Sequence, residues 1–326
     1  MSHDSLSPDD DLATWSNRTV VDSDGRVAIC FGLAATLYFR DGYTERKRRA
    51  ALDCFNEYEP IAGSALTWHC VGAGSNRMSR VSALRNRDMS PYLLSDKWNE
   101  PNASDHGWAY NWHGGADGDD ASPWRIDAYG SPRRYTELDG SLSFLQVSVP
   151  LGGPTDAYQR FVQLVLRFCE RLSPLHGYGG ATLLVSPDRG LAQVHAGEVA
   201  GFAARYPGLE IDRPMSHKLA TLHAIKGAGW ITVLSRTFVE SLGGMRELRQ
   251  RLSETVVMTP FGTGLVLVAG ETPEIGDVNR RLDTPRLRSV ARALKPIRIT
   301  EHPAIYAEGR LAEAGEYSAW LARFDG

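Results

Sequence analysis

The run from Val27 to Phe39 constrains this chain most. It is almost wholly apolar and is bounded by Arg26 and Arg40. It is shorter than the roughly 18 residues that a membrane-spanning helix needs, and Gly32 and Thr36 interrupt it. Its β-branched and aromatic content predicts a strand covered on both faces. Such a strand needs a sheet around it and a layer on each side, so the remaining chain must supply both.

The flanking segments read accordingly. Asp41-Gly42 turns the chain, and Thr44 to Tyr58 reads as a helix with Ala50, Ala51, Cys54, Phe55 and Tyr58 on one stripe. Pro60 and Gly63 are expected to stop it. A strand follows at Leu66 to Val71. Gly72 to Pro123 is the least regular part; it is rich in tryptophan and ends in the acidic tip Gly114 to Asp120. Strands are expected at Ile126 to Tyr129 and at Leu142 to Val149, where Leu145, Val147 and Val149 alternate with Gln146 and Ser148 as in a half-buried strand.

Gly152-Gly153-Pro154 reads as a joint. Thr155 is a plausible N-cap for a helix to Leu172, followed by a strand at Gly177 to Ser186 and a helix at Ala192 to Arg205. Gly177-Tyr178-Gly179-Gly180 reads as a tight turn rather than a phosphate loop. Later come a strand at Gly229 to Ser235, a helix broken at Gly243-Gly244, and a hairpin of Val256 to Thr259 and Leu265 to Ala269 with a longer loop. Helices at Leu287 to Leu294 and Leu311 to Ala322 close the chain. These elements predict an α+β fold of mixed, largely antiparallel sheets with packed helices. Two strand–helix–strand openings suggest two similar halves, 26–153 and 154–326, behind an acidic flexible arm, 1–25.

Charge and cysteine content narrow the function. The net charge of −3 over 326 residues lacks the basic excess of a protein that coats nucleic acid. Cys30, Cys54, Cys70 and Cys169 form no C-x-x-C pair and read as buried, reduced core residues. No secretory signal is expected from the acidic N-terminus, so a cytoplasmic protein is the economical expectation.

Signatures of known catalytic chemistry are few in this sequence. G-x-S-x-G, Walker-type loops and G-x-G-x-x-G are absent from the sequence. Ser216-His217 adjacency makes no triad. Asp41 with Glu45-Arg46-Lys47 imitates a nuclease carboxylate–lysine set, but it falls in the first turn of a helix. His69, Cys70, His106 and His113 lack metal-site spacing. Asp117, Asp119 and Asp120 resemble part of a calcium loop without its closing glutamate. No cofactor or metal is expected.

The second half carries distinctive text. Tyr206-Pro207-Gly208-Leu209-Glu210-Ile211-Asp212-Arg213-Pro214, Ile225-Lys226-Gly227 with Trp230, Ala269-Gly270-Glu271-x-Pro273, Gly276-Asp277-Val278-Asn279-Arg280 and Trp320-Leu321-x-Arg323-Phe324 resemble the type VI secretion immunity family paired with VRR-Nuc nuclease effectors. The resemblance covers about residues 26–325. It implies a non-catalytic antidote in the cytoplasm, with a cognate nuclease toxin as partner, no direct nucleic-acid or membrane contact, and homo-oligomerisation left open. Competing readings are a metal-dependent hydrolase using His and Asp residues of 69–120, and a secretion-system adaptor. Carboxylates can steer a basic partner and buried aromatic anchors can hold it, so Asp117, Asp119, Asp120, Trp108 and Trp112 are the candidate partner-binding residues. Asp212, Arg213, Lys226, Trp230 and Asp277 are expected to be scaffold, with Arg213 pairing Asp212 or Asp277.

Overall fold

The computed structural model describes residues 12, 14–73, 77–81, 87–99, 107–306, 310–313 and 315–325. One sheet runs through all of it. Its strands are β1 (Thr19–Val21), β2 (Val27–Phe39), β3 (Trp68–Val71), β4 (Ser79–Arg80), β5 (Trp108–His113), β6 (Arg125–Gly130), β7 (Ser143–Pro150), β8 (His176–Val185), β9 (Glu210–Ile211), β10 (Ile231–Ser235), β11 (Val256–Phe261) and β12 (Gly264–Ala269). The order is β11-β12-β10-β8-β2-β7-β6-β5-β3-β4, with β1 beside the start of β2 and β9 beside the end of β8. Only the β8–β9 pair is parallel among these. The α+β expectation holds.

β2 is the central strand, and every residue from Ala28 to Phe39 is buried. It pairs with β7 on one side and β8 on the other, so the sheet is continuous across the Gly152–Pro154 joint. Phe31, Leu33, Ala35, Leu37 and Phe39 point into the main apolar core. Helices Glu45–Ala62 and Thr155–Leu172 cover that face. Tyr58 and Tyr110 fix the layer, donating to the carbonyls of Ser148 and Ala51. Cys30, Cys54, Cys70 and Cys169 are all buried thiols.

Several local expectations change. The first helix runs through Pro60 to Ala62, because a proline in the last turn sacrifices few ladder bonds; Gly63 then closes it at φ 54°. Pro154, not Thr155, occupies the N-cap position of the second long helix. The β7 polar residues Gln146 and Ser148 are buried, so this strand is covered on both faces rather than one. The hairpin β11–β12 has a two-residue loop, since Phe261 pairs with Gly264. The segment Ala192–Arg205 is two helices, Arg189–Val194 and Ala196–Arg205. The close of the chain is a 3-10 turn, Arg310–Ala312, and a short helix, Glu316–Leu321.

Gly177-Tyr178-Gly179-Gly180 is not a turn; it lies inside β8, paired with β2 and β10. A Cβ at Gly179 would sit 2.6 Å from the Ala34 carbonyl oxygen, which explains the small residue there. The arm also differs from expectation. Leu12 and Trp15 are in the core, with Trp15 edge-on to Phe31 and Tyr206, and β1 pairs with β2. Residues 1–11 lie outside the described residues.

Trp108 shows how tightly the aromatic layer is fitted. Its indole donates to the Gly42 carbonyl at 2.8 Å. A Cβ at Gly130, its cross-strand partner, would lie 1.9 Å from the indole nitrogen. Gly130→Ala is therefore expected to cost about 1–3 kcal/mol by overpacking, read as a lower urea midpoint at unchanged slope. An unchanged midpoint would show that the indole moves aside freely.

Two buried histidines set an acid limit on the fold. Burial holds both His113 and His176 down to about 4. The unfolded chain takes up their protons first, so stability is complete above about pH 6.5 and falls as pH drops from there towards 4. The expected loss is on the order of 3 kcal/mol per histidine over that window, measured by denaturant midpoints between pH 7 and 4. A flat profile would contradict it.

Candidate functional site

The side of the sheet opposite the two long helices is built differently. One register row crosses it: Asn111 on β5, Asp127 on β6, Gln146 on β7, Thr36 on β2 and Tyr178 on β8. Residues directly opposite in antiparallel strands share a face, so five strands place a line of polar side chains on this one. Two small apolar clusters flank the row. One contains Tyr38, Tyr129 and Phe144, and the other Cys30, Ala34 and Leu184.

Above the row lies a cleft of about 420 Å³, lined by Asn111, Arg125, Asp127, Gln146, Arg189 and Arg213 among others. At its floor Asp212, just after β9, accepts hydrogen bonds from Thr36 Oγ1, Gln146 Nε2 (2.7 Å) and Tyr178 OH (2.6 Å). The Asp212 carboxylate is thus saturated by the row beneath it. Arg125 is 7% exposed and donates to the Val185 carbonyl. Asp127 accepts no hydrogen bond from any described residue. Burial raises it to about 6, against the opposing pull of Arg125. The Arg213 guanidinium lies over Tyr306, 4.4 Å from the ring centre.

The acidic tip is tied to the end of β8, where Val185 and Ser186 line this cleft. Asp117 is exposed and Asp119 half-exposed, and Ser186 donates to the Asp119 carbonyl, tying the tip to the end of β8. Asp188 stands beside it and caps helix Arg189–Val194 through Leu191 N. Burial, then the carboxylates of Asp188 and Asp117, push Asp119 above its ordinary range. Arg26 approaches it at 3.8 Å. The tip and Asp188 therefore present clustered negative charge, with Arg26 and the neighbouring Arg189 as nearby cations.

Three of the five candidate partner-binding residues are placed elsewhere than expected. Trp108 and Trp112 are 1% and 2% exposed and face the helix-covered core. They cannot touch a partner while the fold is intact, because β5 turns its tryptophans to one face and Asn111 to the other. Asp120 is buried too. It accepts from Ala116 N, Asp117 N and Val27 N, holding the tip's shape rather than facing outward.

The motif residues make buried contacts. Glu210 meets Lys226 at 2.5 Å and Arg323 at 3.5 Å, and Lys226 also donates to the Ile211 carbonyl. Trp230 donates to the Gly270 carbonyl. Asp277 caps a 3-10 turn through Asn279 N and Arg280 N and pairs with Arg205 at 2.9 Å. Arg213 pairs with neither Asp212 nor Asp277; it stacks on Tyr306 instead.

Among the described residues the catalytic alternatives find no geometry. His69 stacks on Trp112, whereas His113 shares the opposite face with Arg125, so the sheet separates them. His106 lies outside the described residues. Among the described residues no cluster of three or more His, Cys, Asp or Glu could hold a metal. His217 bonds His302 at 2.9 Å, with exposed Ser216 not in its network. Glu45 pairs with Arg49, and Lys47 donates to the Leu172 carbonyl. Among the described residues no helix is long and apolar enough to cross a membrane.

Sequence reasoning missed Asn111, Arg125 and Asp127. The signal was present in Trp108-Ala-Tyr-Asn-Trp-His113, which alternates large aromatics with smaller residues, and in Arg125-Ile-Asp127. Both are strand patterns with one polar face.

Comparison with known proteins gives a consistent result. A family model, TsiV, described as type VI immunity for VRR-NUC, matches residues 50–324. A solved structure, the Pseudomonas aeruginosa T6SS protein PA0821, superposes with a TM-score of 0.81 at 24% identity, covering 96% of this chain and 89% of that one. That likeness shows a shared fold. No curated protein matches the chain.

Proposed function

This chain belongs to the TsiV family of type VI immunity proteins for VRR-NUC, and from that premise we propose that it binds a cognate VRR-Nuc effector and neutralises it. The action is stoichiometric and non-catalytic: the bound protein covers the effector's active site or its DNA-binding surface. The family match over residues 50–324 carries this reading. The site where it would act is the cytoplasm of the protected cell.

The charge pattern supports it. A surface that grips DNA phosphates is basic, and Asp117, Asp119 and Asp188 offer clustered carboxylates to such a surface. Complementary charge raises the association rate and rejects wrong partners. The two proteins mixed at equal concentration are expected to co-elute as a single complex in size-exclusion chromatography at physiological salt. Separate elution of both at micromolar concentration would remove the proposal.

A further inference from the structure

We infer that the cleft above the polar row is a binding site for a small zwitterion of the α-amino-acid class, its carboxylate taken by Arg125 and Arg213 and its ammonium by Asp127. This goes beyond the immunity reading and does not depend on it.

The first support is unmet hydrogen bonding. Arg125 Nε and Arg213 Nε are both buried with no partner, as is Asn111 Oδ1, and all three residues line the cleft. A buried donor or acceptor left unsatisfied destabilises the fold, because it has given up its water partners for nothing. Three such atoms on residues that line one cavity mark it as a place where the fold leaves polar groups unmet.

The second is fixed orientation. Arg125 is pinned through its bond to the Val185 carbonyl, and the Arg213 guanidinium rests over the Tyr306 ring. Asp127 is held by its place in β6, between Asn111 and Gln146. Groups set in advance lose little freedom when a ligand arrives.

The third is the balance of charge. Arg125 and Asp127 are two residues apart on the same strand face yet form no ion pair with each other. Asp212 is already engaged by Thr36, Gln146 and Tyr178 and Arg189 is exposed to bulk solvent, so the free groups away from bulk solvent are two guanidinium donors and one carboxylate. A simple cation would face both arginines, and a simple anion would face Asp127. A ligand with a carboxylate at one end and an ammonium at the other satisfies all three. Phe144, Val185 and Ile305 provide an apolar wall for a side chain. The volume of about 420 Å³ is that of a small-ligand site.

The test is isothermal titration of the full chain with each proteinogenic amino acid, then with the carboxamide and the N-acetyl form of any that bind. At least one amino acid is expected to bind, and each blocked form to bind about tenfold or more weakly. Asp127→Asn should weaken the zwitterion by a similar factor and leave the N-acetyl form unchanged. No binding at concentrations up to about 10 mM, or equal binding of the blocked forms, would overturn the inference. The analogue comparison uses the unaltered chain, so it stands whether or not the variant folds.

Discussion

Lys226→Met is expected to destabilise the fold by about 3–5 kcal/mol, the largest effect of a single substitution foreseen here. Lys226 is 2% exposed and meets Glu210, itself 6% exposed, deep beneath the C-terminal helix. The ammonium also lies 4.3 Å from the Tyr178 ring and 5.4 Å from the Trp320 ring. Methionine fills similar volume, so little of the loss would come from a cavity. The cost arises because Glu210 would keep its charge with only the longer contact to Arg323. A second substitution distinguishes this cause: Lys226→Met with Glu210→Gln should recover much of the loss, because the stranded carboxylate is gone. Thermal or urea unfolding measures both. If the double variant is no more stable than the single one, packing rather than charge governs the site.

The second large effect concerns association. Reversing Asp117 and Asp119 to lysine should slow binding to the cognate effector by about 10- to 100-fold at low ionic strength, and should flatten the dependence of the rate on salt. Both side chains reach solvent at the tip, and the one backbone bond lost, Asp119 N to Asp117 Oδ1, should cost no more than about 1 kcal/mol. Asp120 and Asp188 are left intact in this design because each accepts backbone N–H bonds that shape the tip or cap a helix. Stopped-flow association gives the answer, and an unchanged rate constant would place the contact elsewhere on the surface.

These two sites differ in how far the sequence discloses them. The central strand is plain because Val27 to Phe39 must be buried on both sides, and the amphipathic stripe of Thr155–Leu172 marks the helix that covers it. The buried cysteines follow from their apolar neighbours. The polar row does not announce itself. Asn111, Asp127, Gln146, Thr36 and Tyr178 come from five strands, and each stands as a lone polar residue among apolar ones. Only the pairing register brings them into line, and register is a tertiary property. The same limit applies to Trp108 and Trp112. A tryptophan-rich, irregular stretch resembles a binding surface until the alternation in β5 is recognised, which turns the indoles inward and Asn111 outward. Gly177 and Gly179 mislead for a related reason. Glycines suggest a turn, yet here they let β8 lie close against β2, where a Cβ would meet the carbonyls of Thr36 and Ala34.

Inhibition of a nuclease by a stoichiometrically bound protein is the proposed action of this chain. The direct measurement is DNA cleavage by the purified cognate VRR-Nuc effector, titrated with this chain. Cleavage should fall in proportion to added protein and stop at equimolar concentration, with no recovery on longer incubation. Cleavage that proceeds unchanged at and above equimolar protein would contradict it.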